Sequence, residues 1–138
     1  MSEAIGSEAL APKSKVSRKR LGALGEQLVT LHLTHLGWEI LQRNFRSAQG
    51  EIDIIAQETT KAGNVLVFVE VKTRHGQRCG TPSEAVDLRK QQKLIATAHA
   101  YLGTRQAGGE EPACRFDVAE VRVDDNDLSS IVLRRALF

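Results

Sequence analysis

Val65-Leu66-Val67-Phe68-Val69-Glu70-Val71-Lys72 is an apolar run that ends on a carboxylate and an ammonium two positions apart. Strand side chains alternate between faces, so Glu70 and Lys72 share one. Apolarity at nearly every position predicts a central β-strand covered on both sides, where a half-exposed strand would alternate. A buried charge is costly unless it is paired or bound to a metal. The end of this strand therefore needs an explanation.

The preceding segment, Glu51-Ile52-Asp53-Ile54-Ile55-Ala56, is short, rich in β-branched residues and bounded by Gly50; Lys61-Ala62-Gly63-Asn64 reads as the turn between the two strands. An antiparallel pairing with Ala56 opposite Val65 sets Asp53 opposite Phe68, on the face of Glu70 and one diagonal step from it. Diagonal neighbours lie roughly 7–8 Å apart, close enough for two carboxylates to share a cation. A slip of one residue would turn Asp53 to the other face.

Asp53, Glu70 and Lys72 together suit metal-assisted phosphodiester hydrolysis. Two hard oxygen ligands match Mg²⁺ or Mn²⁺, which keep several waters and take few protein carboxylates. A lysine beside that metal can orient or deprotonate the attacking water, or stabilise charge on the phosphate. Spacing alone serves equally well a structural Glu70–Lys72 ion pair with Asp53 solvated at a sheet edge.

Upstream, residues 1–16 are small and polar without periodicity and read as a flexible tail, leaving 17–138 as one folded domain. Arg18-Lys19-Arg20 opens a helix whose apolar residues fall into two groups, Leu21, Leu24, Leu28 and Leu31 on one side and Val29, Leu33 and Leu36 on the other. Gly37 supplies its stop. Glu26 precedes Val29 by one turn and Leu33 by two, which places it on an apolar flank. A salt bridge to nearby basic residues is the plain alternative to a role in a site.

Trp38 to Phe45 reads as the first strand, and Arg115 to Val123 and Ile131 to Leu137 as two more around the turn Asp124-Asp125-Asn126-Asp127. Thr81-Pro82-Ser83-Glu84 is a capping box with proline at the first helical position. The helix after it directs Leu88, Leu94, Ile95, Ala98, Tyr101 and Leu102 inward and Arg89, Lys90 and Lys93 outward. The order α-β-β-β-α-β plus a final strand predicts an α/β fold, a mixed sheet flanked by helices.

Cys79 and Cys114 lack zinc spacing, and His32 and His35 lack a carboxylate at metal spacing, so neither pair predicts a metal centre. No apolar run is long enough to span a bilayer and no signal-peptide core is evident, so a cytoplasmic protein without membrane contact is expected. Net charge is only +2, so the distribution of basic residues matters more than their sum. Arg74 and Arg78 follow the Glu70–Lys72 strand, where a phosphate backbone would pass, and are the expected nucleic-acid contacts. Aromatic residues make up 4% of the chain, too few for a base-stacking platform. Duplex or branched DNA fits better than single strands.

Asp53 followed by Glu70-Val71-Lys72 after an apolar strand resembles the PD-(D/E)xK nuclease superfamily. Gly25-Glu26, Gly50-Glu51-Ile52-Asp53, Val67 to Arg74, Glu84-Ala85-Val86 and Arg115-Phe116-Asp117-Val118 resemble, in that order, the YraN-type family of predicted endonucleases, thought akin to Holliday-junction resolvases. The resemblance implies a restriction-endonuclease-like fold, Asp53 and Glu70 as metal ligands, Lys72 as the catalytic lysine and Glu26 as a further acidic contributor. Ile52-Asp53 stands where the superfamily's Pro-Asp would be, and residues 131–138 match the family's ending loosely. The expected function is a Mg²⁺- or Mn²⁺-dependent DNA endonuclease acting on branched or repair intermediates; the rival is a nucleic-acid-binding accessory protein with little or no turnover. Symmetric cutting of two strands would favour a homodimer.

Overall fold

A computed structural model describes residues 18–75, 87–105, 112–123 and 128–134. The expected tail, Arg78, Cys79, the capping box at 81–84, the acidic turn at 124–127 and the last residues of the final strand lie outside the described residues. The elements are α1 (Arg18–His35), β1 (Glu39–Ser47), β2 (Gly50–Thr60), β3 (Gly63–His75), α2 (Leu88–Thr104), β4 (Ala113–Val123) and β5 (Leu128–Arg134). They form a mixed sheet in the order β1-β2-β3-β4-β5, antiparallel except for β3 and β4, which run parallel. This is the expected α/β architecture, consistent with a restriction-endonuclease-like core. β3 is central and covered on both faces, as its apolar run requires.

One helix packs on each face. Val29 and Leu33 of α1 meet Trp38, Ile54, Ala56, Val67, Val69, Ala119 and Val121; Leu94, Ala98 and Tyr101 of α2 meet Phe45, Ile52, Ile55, Leu66, Phe68 and Val118. Tyr101 packs edge-on against Phe45 and Phe68, with ring centroids 5.3 and 6.1 Å away. The stripe that α1 buries is thus narrower than its leucine content suggests. Leu24, Leu31 and Leu36 are exposed, and on α2 so are Leu88 and Ile95, which corrects their expected inward placement.

α1 ends as its glycine predicts. Gly37 has φ +91°, Trp38 N–H donates to Leu33 O and Gly37 N–H to Thr34 O, each at 3.0 Å, the paired bonds of a Schellman stop. Trp38 and Leu33 then share one cluster. α2 begins at Asp87, whose Oδ1 accepts from Lys90 N–H at 2.9 Å. α1 approaches β3 at Gly25, where a Cβ would stand 1.8 Å from Thr73 Oγ1 and 3.0 Å from Thr73 Cβ. Only glycine lets the helix lie this close.

The β2–β3 register differs from the expected one. Ala56 faces Val67, not Val65, and the pairing runs from Thr60–Gly63 to Ile54–Val69. A shift of two residues preserves the face and brings Asp53 from a diagonal neighbour of Glu70 to the position opposite it, one step past the last pair. There the sheet also changes phase. Ile54 belongs to the α1-side cluster and Ile52 to the α2-side cluster. On β1, Arg43 reaches α1 while Phe45 packs on the α2 side, and Asn44 between them has φ +54°. Asn44 is the residue that faces Asp53 across the β1–β2 pairing, and asparagine is among the few side chains that tolerate such a φ.

Candidate active site

The phase change at Asp53 sets its carboxylate where a ladder bond would otherwise form. Its Oδ2 accepts the Val71 N–H at 2.8 Å, which ties the end of β2 to the centre of β3. Glu70 and Lys72 follow by strand alternation on the face covered by α2, and Lys72 Nζ lies 3.5 Å from Glu70 Oε2. Asp53, Glu70, Lys72, Lys90, Lys93 and Thr97 line one cleft of about 520 Å³ between the sheet and the first turns of α2. The expected trio therefore comes together in one place.

Glu26 lies on the other side of the sheet's end. It pairs with Arg43 at 3.8 Å, and its charge is near enough to bear on Asp53. Arg74 continues the row of Glu70 and Lys72. Its Nε stands 3.1 Å from Glu120 Oε2 without hydrogen-bond alignment, and Arg122 approaches the same oxygen at 3.5 Å. The strand motif Arg115-Phe116-Asp117-Val118 contributes a separate buried network: Arg115 donates to Asp117 Oδ1 at 2.9 Å and to Glu58 at 2.7 Å, and lies over the Trp38 ring.

Residues 25–121 match the model of a family described as uncharacterised protein family UPF0102. The chain belongs to this family. UPF0102 is the YraN-type family that the sequence resembles. A UPF0102 protein of Symbiobacterium thermophilum is 52% identical over 103 residues, covering 75% of this chain and 82% of its own. One from Caldicellulosiruptor saccharolyticus is 40% identical over 124 residues, covering 89% and 100%. Among solved structures, Pyrococcus furiosus SfsA in complex with Ca²⁺ aligns with 85% of this chain and 61% of its own at 10% identity and a TM-score of 0.26. The span matched to UPF0102 takes in Asp53, Glu70, Lys72 and Lys90.

Lys90 is the residue that sequence reasoning turned the wrong way. Its Nζ lies 2.6 Å from Glu70 Oε2, shorter than the Lys72 contact to the same oxygen. A signal existed: Lys90 precedes Leu94 by four residues on the stripe that continues through Thr97 and Tyr101, so helical geometry aims it at the sheet. Burial holds the Lys72 ammonium below its ordinary pKa, and the neighbouring Lys90 adds to this. Burial also opposes the Lys90 charge, but hydrogen bonds to Glu70 and Lys72 and the charges of Glu70 and Asp53 outweigh it, so its pKa is raised.

Burial pushes the Asp53 carboxyl up to about 6 from 3.8; the Val71 N–H and Lys72 work against this, and Glu70 and Glu26 add to it. A carboxyl whose folded pKa is raised contributes stability below its unfolded pKa and loses it as pH rises through the folded value. Metal-free protein should therefore lose about 1–2 kcal/mol from this group between roughly pH 4 and pH 7, after discounting for partial solvent access. Asp53→Asn keeps an acceptor for Val71 but cannot ionise. In chelator it should unfold at a higher temperature than the wild type at pH 7.5 and at the same temperature at pH 4; identical pH profiles would disprove the buried charge.

Among the described residues no three His, Cys, Asp or Glu side chains gather into a closed metal cage. The pair Asp53 and Glu70 instead fits a hard divalent cation that keeps most of its water, and Mg²⁺ and Mn²⁺ are such ions. No described helix is long and apolar enough to cross a membrane.

Proposed function

We propose that this UPF0102 protein is a metal-dependent DNA endonuclease of the cytoplasm, acting on duplex or branched repair intermediates. The observation that supports this reading best is the joining of Asp53 to β3 at Val71, which sets a half-buried carboxylate beside Glu70 and Lys72 in an open cleft. A structural ion pair would need neither the phase change nor the cleft. Asp53 and Glu70 would hold Mg²⁺ or Mn²⁺, with Glu26 as a further acidic group acting from α1. The cation supplies charge neutralisation and an activated water. Lys72, whose ammonium burial makes easier to deprotonate, would orient the attacking water as the ammonium or take a proton from it as the free amine, and in its charged form would stabilise the phosphate.

Arg74 and Arg78 would guide the phosphate backbone past the cleft. Arg74 is a third exposed along its side chain and continues the row of Glu70 and Lys72. Arg74→Gln combined with Arg78→Gln should weaken binding alike for all DNA sequences and lower the salt slope by roughly 1–2, about 0.9 counterion per phosphate contact. An unchanged slope would place the DNA track elsewhere.

The deciding experiment incubates purified protein with linear, flapped and four-way-junction DNA in Mg²⁺, Mn²⁺ or EDTA. Cleavage of at least one substrate with either metal and none in EDTA is expected. Cleavage that persists in EDTA would end the metal mechanism, and binding without cleavage on every substrate would favour the accessory protein. A homodimer would supply the two cuts that a junction requires.

A further inference from the structure

The contact at Glu70 is crowded in an unequal way. Lys90 reaches Oε2 at 2.6 Å, the short end of charge-assisted hydrogen bonds, while Lys72 stands at 3.5 Å from the same atom. The two lysines also arrive differently. Lys72 rises from the strand that carries Glu70, whereas Lys90 comes from the first turn of α2, a separate element, and both reach by flexible four-carbon stems. The closer of the two ammonium groups is the one supplied from outside the strand.

Resting on the nuclease reading, we propose that Lys90 is a tethered counter-cation that holds the Glu70 carboxylate in the metal-free protein, and that a divalent ion must displace it to bind. A hard cation bound to Glu70 and an ammonium held on the same carboxylate would stand only a few ångströms apart, and the water of the open cleft screens their repulsion only in part. The cleft already contains Lys72 and Lys93 besides Lys90, facing Asp53 and Glu70. Metal loading with Lys90 still in place would leave a large positive excess. With Lys90 withdrawn toward the open side, the same ammonium faces the direction from which a phosphate enters. The lysine thus helps to neutralise Glu70 when no metal is present and sets a threshold for metal loading.

The test is direct Mn²⁺ binding to the DNA-free protein, read by electron paramagnetic resonance of free Mn²⁺, for the wild type, Lys90→Met, Lys90→Gln, Lys93→Met and Asp53→Asn. Lys90→Met and Lys90→Gln should bind Mn²⁺ about 10- to 30-fold more tightly than the wild type, the effect of removing one nearby charge from a divalent ion in a water-rich site. Lys93→Met, which removes the same charge from the same cleft, should change the affinity far less, and Asp53→Asn should abolish binding. Equal gains in the Lys90 and Lys93 variants would overturn the proposal, because net charge and not occupancy of Glu70 would then set the affinity. Binding that requires Asp53 but is indifferent to position 90 would overturn it while leaving the nuclease reading intact. Absence of Asp53-dependent Mn²⁺ binding in all variants would overturn both.

Discussion

Lys72→Met should lower metal-dependent DNA cleavage by about 10²–10³-fold while leaving the fold and most of the DNA affinity in place. The ammonium sits in the cleft on the Glu70 carboxylate, and methionine keeps the length and packing of its stem without the charge. On the nuclease reading, what is lost is the group that would orient water and meet developing charge. Asp53→Ala and Glu70→Ala should be at least as severe, because each removes part of the metal's hold and with it the activated water. On the same reading, DNA affinity would be spread over many basic residues, so gel-shift binding should survive in all three. Single-turnover rates at saturating enzyme provide the measurement. A Lys72→Met protein that cleaves at the wild-type rate would remove the catalytic assignment and leave the lysine as a structural partner of Glu70.

Gly25→Ala should destabilise the protein by about 3 kcal/mol, a fall in Tm of roughly 10 °C. The added methyl would stand 1.8 Å from Thr73 Oγ1, 3.0 Å from its Cβ and 3.3 Å from its Cγ2. Most of the overlap is with the hydroxyl, which the threonine can withdraw only by leaving its present rotamer, while the Cβ contact asks for a shift of a few tenths of an ångström. The helix must lift from the sheet, which loosens Val29 and Leu33, both fully buried one and two turns along the same interface. Thr73→Ala removes the hydroxyl and one methyl, so Gly25→Ala in that background should cost markedly less; the coupling, read by denaturant unfolding of the four proteins, should exceed about 1 kcal/mol. Additive losses would mean that the close approach does not limit the packing.

The fold was legible where periodicity and punctuation agreed. The apolar run at 65–69 fixed β3 as central, Gly37 marked the end of α1, and the element order followed from the turns between segments. The β2–β3 register was off by two residues because Lys61 to Asn64 admits more than one hairpin length, yet Asp53 kept its face because strand side chains repeat every two residues. Lys90 was misplaced for a different reason. Charge alone suggests exposure, but the spacing of Lys90 to Leu94 and Tyr101 matches the buried stripe. On α1 the error ran the other way: leucines at 24, 31 and 36 were read as core, while the chain buries a stripe through Gly25, Val29 and Leu33. Glu120, deeply buried between Arg74 and Arg122, gave no signal in sequence, because its neighbours are set by the parallel pairing of β3 with β4.

The inversion of faces at Asn44 and Asp53 behaves like a dislocation in a crystal. The inversion lies on one line that crosses β1 and β2, distinct from the register shifts at Ile40–Gln42 and Arg122–Val123. Along that line the lattice of backbone bonds is interrupted, so a side chain can enter it, and the Val71 amide is left for Asp53 to take. A perfect sheet would have paired Asp53 with Glu70 across the strands but left the Val71 amide in the ladder, with nothing to tether the carboxylate. The defect is thus the part of the architecture that turns an ordinary hairpin into a socket, and its position, more than the strength of the surrounding core, determines where the chemistry can be.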